Sequence, residues 1–112
     1  MESGDKLIQL RDALRQFTTA RDWRQYHTPK NLAMAMIVEA AELVEQFQWM
    51  TPEQSLALSE VQLAAVRDEV ADTLIYLVEL ADVLDIDLIS AARDKMLKNA
   101  IKYPAPTSGE AG

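Results

Sequence analysis

The segment from Leu74 to Leu84 is apolar on almost every side when it is read with the period of an α-helix, and this constrains the fold more than any other feature. Its apolar residues are Leu74, Ile75, Tyr76, Leu77, Val78, Leu80, Ala81, Val83 and Leu84. A helix that is apolar all round needs packing partners all round. A chain of 112 residues can hardly supply them, so we expect an oligomer built around this helix.

Start and stop signals divide the rest of the chain into helices as well. Thr28-Pro29 is typical of a helix start, and Ser59 with Gln62 has the spacing of a capping box. Pro104 is expected to end the last helix. The predicted long helices run from about Gly4 to Trp23, Thr28 to Trp49, Glu60 to Leu84 and Asp87 to Lys102, with a short helical turn after Thr51-Pro52.

The predicted fold class is therefore all-α: an antiparallel helical bundle of four main helices, completed by oligomerisation. We expect one domain over residues 1–104 and a flexible C-terminal tail over residues 105–112.

The composition argues against several kinds of function. The net charge is -7, from 18 acidic and 11 basic residues, whereas a nucleic-acid-binding module needs clustered positive charge. The chain has no cysteine, which removes disulfides, thiol nucleophiles and Cys-based zinc sites.

The sequence also argues against a membrane-spanning segment. Its longest apolar run, Leu32 to Val38, is far shorter than the roughly 20 residues of a membrane span. Glu2 and Asp5 precede any apolar stretch, so we expect no signal peptide. The absence of cysteine fits a reducing cytosol, so we expect a cytoplasmic protein.

Two acidic pairs carry the chemistry that the sequence predicts. Glu39 and Glu42 are three residues apart on the second predicted helix, and Glu69 and Asp72 are three apart on the third. Each pair lies on one helix face, so antiparallel packing would bring the four carboxylates together. Because apolar residues surround them, their charge would be costly without a cation. Oxygen ligands without histidine or cysteine favour Mg²⁺ or Mn²⁺, and Mg²⁺ usually keeps positions open for substrate phosphates.

Two other interpretations are open at this point. Acidic pairs of this spacing are common on solvated faces of amphipathic helices, and the chain would then be a non-catalytic helical oligomeric interaction protein that binds no metal. A di-iron bundle would need Glu-x-x-His on two helices. The single histidine, His27, has Arg24 three residues before it, so that signature is missing from the sequence.

The acidic pairs belong to a longer set of motifs that resembles the MazG-like all-α nucleotide pyrophosphohydrolases. Glu39-x-x-Glu42 and Glu69-x-x-Asp72 resemble the metal motif of that family. The further matches, which resemble its dCTP pyrophosphatase branch, are Arg21-Asp22-Trp23, His27, Asn31-Leu32, Phe47-Gln48-Trp49, Asp72-x-Leu74-Ile75-Tyr76-Leu77, and Lys95-Met96-x-x-Asn99-x-x-Lys102-Tyr103-Pro104. The resemblance covers about residues 5–104. Val38 departs from it, because the family often has a glutamate at this position, and we interpret this as a mark of the branch.

The resemblance implies a Mg²⁺-dependent enzyme that splits dCTP, or a related or modified deoxynucleotide, into a monophosphate and pyrophosphate. The implied metal ligands are Glu39, Glu42, Glu69 and Asp72. The implied base and sugar pocket comprises Trp23, His27, Trp49 and Tyr76, and Asn31 is a hydrogen-bonding candidate. The implied phosphate-handling residues are Lys95, Asn99, Lys102 and Tyr103, acting within one subunit or across a subunit boundary. The family assembles as dimers or tetramers.

For the reaction, we expect Glu39 or Glu42 to act as general base on a water, and Lys95 to stabilise the leaving pyrophosphate. Ordinary structural roles remain open for several of these residues. A tryptophan is more often a core residue than a ligand, and lysines near a helix C-terminus also complement the helix dipole. Stacking on tryptophan accepts any base, so the base preference follows from the resemblance alone.

Overall fold

The computed structural model describes residues 5–106, and all the regular structure in that range is helical. The α-helices are α1 (Lys6–Ala20), α2 (Pro29–Glu45), α3 (Pro52–Ser55), α4 (Glu60–Val83) and α5 (Leu88–Lys102), with a 3₁₀ turn at Arg24–Tyr26. The predicted all-α class is confirmed. The predicted helix start at Gly4 lies outside the described residues, as do positions 107–112 of the predicted tail, and the domain limits stay a prediction.

The helix starts lie where the sequence signals predicted them. Ser59 and Gln62 form a complete capping box at the start of α4, with Gln62 N donating to Ser59 Oγ at 3.1 Å and Ser59 N donating to Gln62 Oε1 at 2.8 Å. Thr51 and Gln54 form the same arrangement at α3, and Thr28 caps α2. These caps bind backbone N–H groups that have no partner inside the helix.

Two helices end where an aspartate adopts a left-handed backbone conformation. Asp22 has a φ of 57° and ends α1 at Ala20 rather than at the predicted Trp23. Trp23 N donates to Thr18 O at 2.9 Å, which completes a Schellman motif. Asp85 has a φ of 55° and ends α4 in the same way. Aspartate tolerates this conformation better than most residues. The spacing of apolar residues along a helix does not predict where such a residue ends it.

The predicted end of α2 is wrong. The helix ends at Glu45, and residues 46–49 form turns instead of continuing the helix to Trp49. Thr51 is extended, with φ −76° and ψ 161°, because Pro52 disfavours helical backbone in the residue before it. The chain therefore has to leave the helix before this point, and it does so through tight turns.

The helices α2 and α4 form the centre of the chain and pack against each other antiparallel. Just before α2, His27 faces Glu79 of α4. Further along α2, Glu39 faces Asp72. Near the end of α2, the apolar residues that line a shared groove are Leu43, Val44, Phe47, Val66 and Val70. Helix α1 packs against α4 less extensively. This arrangement brings the two predicted acidic pairs onto facing helices.

The core of a single chain is small. Within residues 5–106 the buried apolar side chains are Leu32, Val78 and Ala81. The accessible surface is 8790 Å², whereas a folded monomer of 12.6 kDa is expected to expose about 6200 Å². Helix α5 adds to the excess, because it has no extensive contact with another helix and its residues 89–102 are exposed. One copy therefore does not close the predicted four-helix bundle, and the oligomer stays a prediction.

Within the described part of the chain, no helix is both long enough and apolar enough to cross a membrane.

Candidate metal and nucleotide site

Three carboxylates from α2 and α4 gather between the two helices. Glu39 of α2 and Glu69 and Asp72 of α4 each place one carboxylate oxygen within 4.8 Å of the others. Glu69 and Asp72 point the same way because they are three residues apart on one helix. Antiparallel packing of α2 brings Glu39 to them. We refer to these three residues as the carboxylate cluster.

Glu42 lies at the edge of the carboxylate cluster, and its charge acts on two members. Partial burial raises the pKa of Glu39 above its ordinary value, and the negative charges of Glu42 and Asp72 raise it further. Partial burial also raises the pKa of Glu69, again followed by the charges of Glu42 and Asp72. Glu45, one turn beyond Glu42, adds a smaller contribution at Glu69. Without a cation, the carboxylate cluster thus holds negative charge where it is poorly compensated.

One oxygen of the carboxylate cluster lacks any partner. Glu69 Oε1 is buried, and no hydrogen bond reaches it from the described residues. A buried carboxylate oxygen without a donor is energetically unfavourable. A divalent cation would supply the missing contact, and a donor set made entirely of carboxylate oxygens suits a hard ion. The residues present therefore fit a divalent metal site.

Tyr76 borders the carboxylate cluster one turn after Asp72 on α4. Partial burial raises the pKa of its hydroxyl, and the charges of Glu39 and Glu79 raise it further. The phenol therefore stays protonated and can donate a hydrogen bond. The structure places this predicted pocket residue next to the predicted metal ligands.

Residues 21–27, which we name the pocket segment, join α1 to α2 and carry two side chains predicted to bind the nucleotide. Trp23 packs edge-on against Phe17, with 5.6 Å between ring centroids, and remains 46% exposed. His27 is partly buried, with its Nδ1 atom 3.9 Å from Glu79 Oε2. The Arg21 guanidinium also lies over the Trp23 ring, 6.0 Å from its centre. A partly exposed indole is suited to stacking on a base.

Asn31 forms a local hydrogen bond in this region. Its Nδ2 atom donates to Tyr26 O at 3.0 Å, which ties the end of the pocket segment to the first turn of α2. The structure thus shows a local contact for Asn31, and its contact with the nucleotide stays a prediction.

The structure does not bring the remaining predicted residues to the carboxylate cluster within one chain. Trp49 lies in the turns after α2 and is 89% exposed. The predicted phosphate-handling residues, Lys95, Asn99, Lys102 and Tyr103, are exposed on α5 or just after it. Because α5 does not pack back along α2 or α4, these side chains stand apart from the carboxylates. Lys102 instead lies with its Nζ atom 5.3 Å from the centre of the Tyr103 ring.

Sequence reasoning missed two acidic residues of α4 that face the pocket segment. Glu79 and Asp82 interrupt the apolar face of α4, and they contact His27, Arg15 and Arg24. Their three-residue spacing was the available signal, since it repeats the spacing of the two predicted acidic pairs. Their arginine partners come from other elements, so the contacts follow from tertiary packing.

Comparison with known proteins decides the family. The model of the MazG-like family matches residues 34–111. The chain belongs to the MazG-like family. The family resemblance predicted from the motifs is thereby confirmed.

This MazG-like chain is similar to curated proteins from mammals. The dCTP pyrophosphatase 1 of Bos taurus is 42% identical over 95 residues, which cover 83% of this chain and 56% of the relative. The dCTP pyrophosphatase 1 of Homo sapiens is 42% identical over 92 residues, which cover 80% of this chain and 54% of the relative. The chain spans about half the length of the curated relatives it matches.

A solved structure resembles this MazG-like chain over most of its length. The crystal structure of a pyrophosphatase from Archaeoglobus fulgidus is 42% identical and has a TM-score of 0.86. The alignment covers 94% of this chain and 98% of that chain.

Proposed function

We propose that this MazG-like chain is a Mg²⁺-dependent nucleoside triphosphate pyrophosphohydrolase that cleaves the α–β phosphate bond of a deoxynucleotide. The proposed substrate is dCTP or a related or modified deoxynucleotide, and the proposed role is house-cleaning of the nucleotide pool. The carboxylate cluster, with its partnerless Glu69 oxygen, is the observation that carries the proposal. The names of the similar proteins, dCTP pyrophosphatase 1 and a pyrophosphatase, support the reaction class.

The proposed metal ligands are Glu39, Glu69 and Asp72, with Glu42 as a fourth carboxylate beside them. Mn²⁺ is the alternative ion for such a site. When bound, the cation would offset negative charge on the triphosphate oxygens. Without such compensation, a chain with a net charge of -7 would repel an anionic substrate.

Glu39 or Glu42 is the proposed general base. Either carboxylate would orient a water molecule and accept its proton as the water attacks phosphorus and pyrophosphate leaves. A base has to lie within hydrogen-bond reach of the water that it activates, and both carboxylates lie in or beside the carboxylate cluster.

The nucleotide is proposed to bind between the pocket segment and the carboxylate cluster. The base and sugar would contact Trp23, His27, Asn31 and Tyr76 of one chain, and Trp49 would contact them from a neighbouring copy. The exposed face of Trp23 offers stacking, and the protonated Tyr76 hydroxyl offers a hydrogen bond beside the carboxylates. Stacking by itself does not select a base, so the preference for dCTP rests on the names of the relatives.

The basic residues of α5 are proposed to act on a neighbouring subunit. Lys95 would offset charge on the leaving pyrophosphate, with help from Asn99, Lys102 and Tyr103. Because α5 stands away from α2 and α4 in its own chain, these side chains would reach the carboxylate cluster of another copy in a dimer or tetramer. A cytoplasmic location is proposed from the cysteine-free composition.

The first test is a screen of the canonical dNTPs and several damaged dNTPs with Mg²⁺, in which the products are identified. Formation of a monophosphate with pyrophosphate supports α–β cleavage. Release of inorganic phosphate would instead indicate loss of the γ-phosphate and would contradict the proposal. EDTA is expected to stop turnover, and added Mg²⁺ is expected to restore it.

The second test removes single charges from the site. Glu39→Gln and Asp72→Asn should each abolish pyrophosphate release while the helical circular dichroism signal stays intact. Glu53→Gln, which changes an exposed acid on α3, is the matched control and should keep full activity. Full activity in either site variant would reject the metal assignment. A non-catalytic interaction protein would show no change in melting temperature with nucleotide and Mg²⁺.

A further inference from the structure

A second pair of acidic residues lies on α4 beyond the carboxylate cluster, and the proposed reaction gives it no role. Glu79 and Asp82 are three residues apart, so they share one face of the helix. Their side chains are only 11% and 10% exposed. Carboxylates with so little access to solvent need partners that offset the lost hydration.

Asp82 binds two arginines that come from different elements. Arg15 of α1 makes a two-pronged contact, in which Nε donates to Oδ2 at 2.9 Å and Nη2 donates to Oδ1. Arg24, in the 3₁₀ turn of the pocket segment, places Nη1 3.9 Å from the same Oδ2 atom. The hydrogen bond from Arg15 lowers the pKa of Asp82, and the positive charges of both arginines add to this effect. Asp82 therefore joins α1, the pocket segment and α4 at one point.

Glu79 faces the end of the pocket segment. His27 Nδ1 lies 3.9 Å from Glu79 Oε2. Partial burial raises the pKa of Glu79, whereas the nearby His27 and Arg24 oppose the rise. One turn of α4 thus meets the pocket segment at two places, Arg24 and His27.

The beginning of the pocket segment is held by α1. Trp23 donates its backbone N–H to Thr18 O at 2.9 Å, and its ring packs against Phe17. Arg15 lies on the same helix three residues before Thr18. The contact between Arg15 and Asp82 therefore also fixes, relative to α4, the helix on which Trp23 rests.

We propose that Asp82, acting through Arg15 and Arg24, is a positioning residue that sets where Trp23 and His27 stand relative to the carboxylate cluster. This inference rests on the proposed function, in which those two side chains bind the base and sugar. Asp82 follows Asp72 by ten residues on α4, a distance of roughly 15 Å along a helix. It can therefore link the two halves of the site without touching the reacting phosphates.

Steady-state kinetics with dCTP and Mg²⁺ test the inference. Asp82→Asn keeps the shape of the side chain and removes its charge. We expect KM to rise about tenfold and kcat to stay within about twofold, because the lost positioning affects substrate and transition state alike. The double variant Arg15→Gln/Asp82→Asn should have a KM close to that of the worse single variant, since both changes break one contact.

Glu53→Gln is the control. It removes one negative charge from an exposed position on α3, a helix that has no extensive contact with α1 or α4. KM should therefore stay at the wild-type value.

Tryptophan fluorescence supplies a readout that does not need turnover. The chain has two tryptophans, so Trp49→Phe leaves Trp23 as the only indole. In this background, Asp82→Asn should increase acrylamide quenching of Trp23 and shift its emission to the red, and Glu53→Gln should do neither. Circular dichroism checks that each variant is folded. If Asp82→Asn does not fold, Arg24→Gln breaks the 3.9 Å contact between Arg24 and Asp82 and keeps the contact between Arg15 and Asp82. This variant should change KM and quenching in the same direction.

The outcomes separate this inference from the proposed function. An unchanged KM together with unchanged quenching in folded Asp82→Asn would overturn the inference. A fall in kcat with an unchanged KM would also overturn it, because Asp82 would then act on the chemical step. Absence of turnover in the wild-type protein would reject the proposed function, while the quenching result would still decide whether Asp82 positions Trp23.

Discussion

The negative charge of Glu69 favours metal binding but lowers the stability of the metal-free fold. Its Oε1 atom is buried without a partner within residues 5–106, and partial burial together with the charges of Glu42 and Asp72 raises its pKa. A carboxyl group whose pKa is higher in the folded state makes the fold less stable as the pH rises through that pKa, because the unfolded chain accommodates the ionised form better. At neutral pH the metal-free cluster should therefore lower the stability of the fold.

Glu69→Gln should raise the melting temperature in EDTA and lose the gain in melting temperature that Mg²⁺ gives the wild type. The amide removes the charge and can donate hydrogen bonds to the neighbouring carboxylates, but it is a poor ligand for the cation. Thermal denaturation of wild type and variant, each with EDTA and with Mg²⁺, measures both effects. Glu53→Gln controls for the general effect of one acid fewer. A lower melting temperature of Glu69→Gln in EDTA would contradict this account.

Asp82 should contribute to stability in the opposite pH direction. Its pKa is lowered in the folded protein from the ordinary 3.8, first by the hydrogen bond from Arg15. A lowered pKa means that the contribution is present above pH 3.8 and is lost as the pH falls through the folded-state pKa. Urea unfolding at about pH 6 and about pH 3 should show that Asp82→Asn is less stable than wild type at the higher pH and closer to it at the lower. A constant difference would argue against the ion pair.

The sequence allowed the gathering of acidic residues from α2 and α4 to be predicted, but not the contacts of Asp82. Glu39, Glu42, Glu69 and Asp72 could be paired because residues three apart share a helix face, and this local rule holds wherever the helix packs. The partners of Asp82 depend on how α1 crosses α4, which local periodicity does not specify. The role of each predicted site residue remains a proposal.

At the scale of elements, helix starts were easier to predict than helix ends. Starts depend on caps such as Ser59 with Gln62, whose side chains bind the backbone a few residues away, so the signal lies within the local sequence. Two ends depend on the left-handed Asp22 and Asp85, and aspartate is not the glycine that usually marks this position. The end of α2 was missed because no stop residue precedes Thr51.

Ser59→Ala should destabilise the protein by about 1 kcal/mol, because it removes a capping side chain from the helix that carries Glu69 and Asp72. Urea unfolding measures the change. Ser90→Ala is the control: this serine lies inside the first turn of α5, where its backbone N–H is bound by Asp87, and alanine is a good helix former. Equal destabilisation by the two changes would show that the capping box of α4 makes no specific contribution to the free energy of unfolding.

At the scale of the whole molecule, a single chain is too extended to be a typical compact domain. The radius of gyration is 17.9 Å, against about 13 Å for a compact domain of this length. The accessible surface exceeds that of an ordinary monomer, and large apolar residues such as Leu97 and Ile101 of α5 are 68% and 84% exposed. The accessible surface that one chain exposes beyond that of an ordinary monomer is of the size that stable subunit interfaces bury.

Ile101→Glu should dissociate the oligomer that we propose, because it places a charge in an apolar interface. Analytical ultracentrifugation of wild type and variant at micromolar concentration measures this. Lys98→Glu changes a charge on the same helix and is the control, which should sediment like the wild type if position 98 faces solvent in the assembly. Wild-type protein that sediments as a monomer at this concentration would contradict the oligomer.

The isolation of α5 has a consequence for how the protein responds to dilution. The helix has 15 residues, close to the length at which a helix alone in water is only marginally formed. Its backbone amides should therefore exchange with deuterated solvent faster as the protein is diluted, while those of α2 and α4 keep their protection. The fraction of α5 that is formed, and with it the placement of Lys95 and Lys102, would then depend on protein concentration. Specific activity should therefore fall on dilution before the helices that carry the carboxylates begin to unfold.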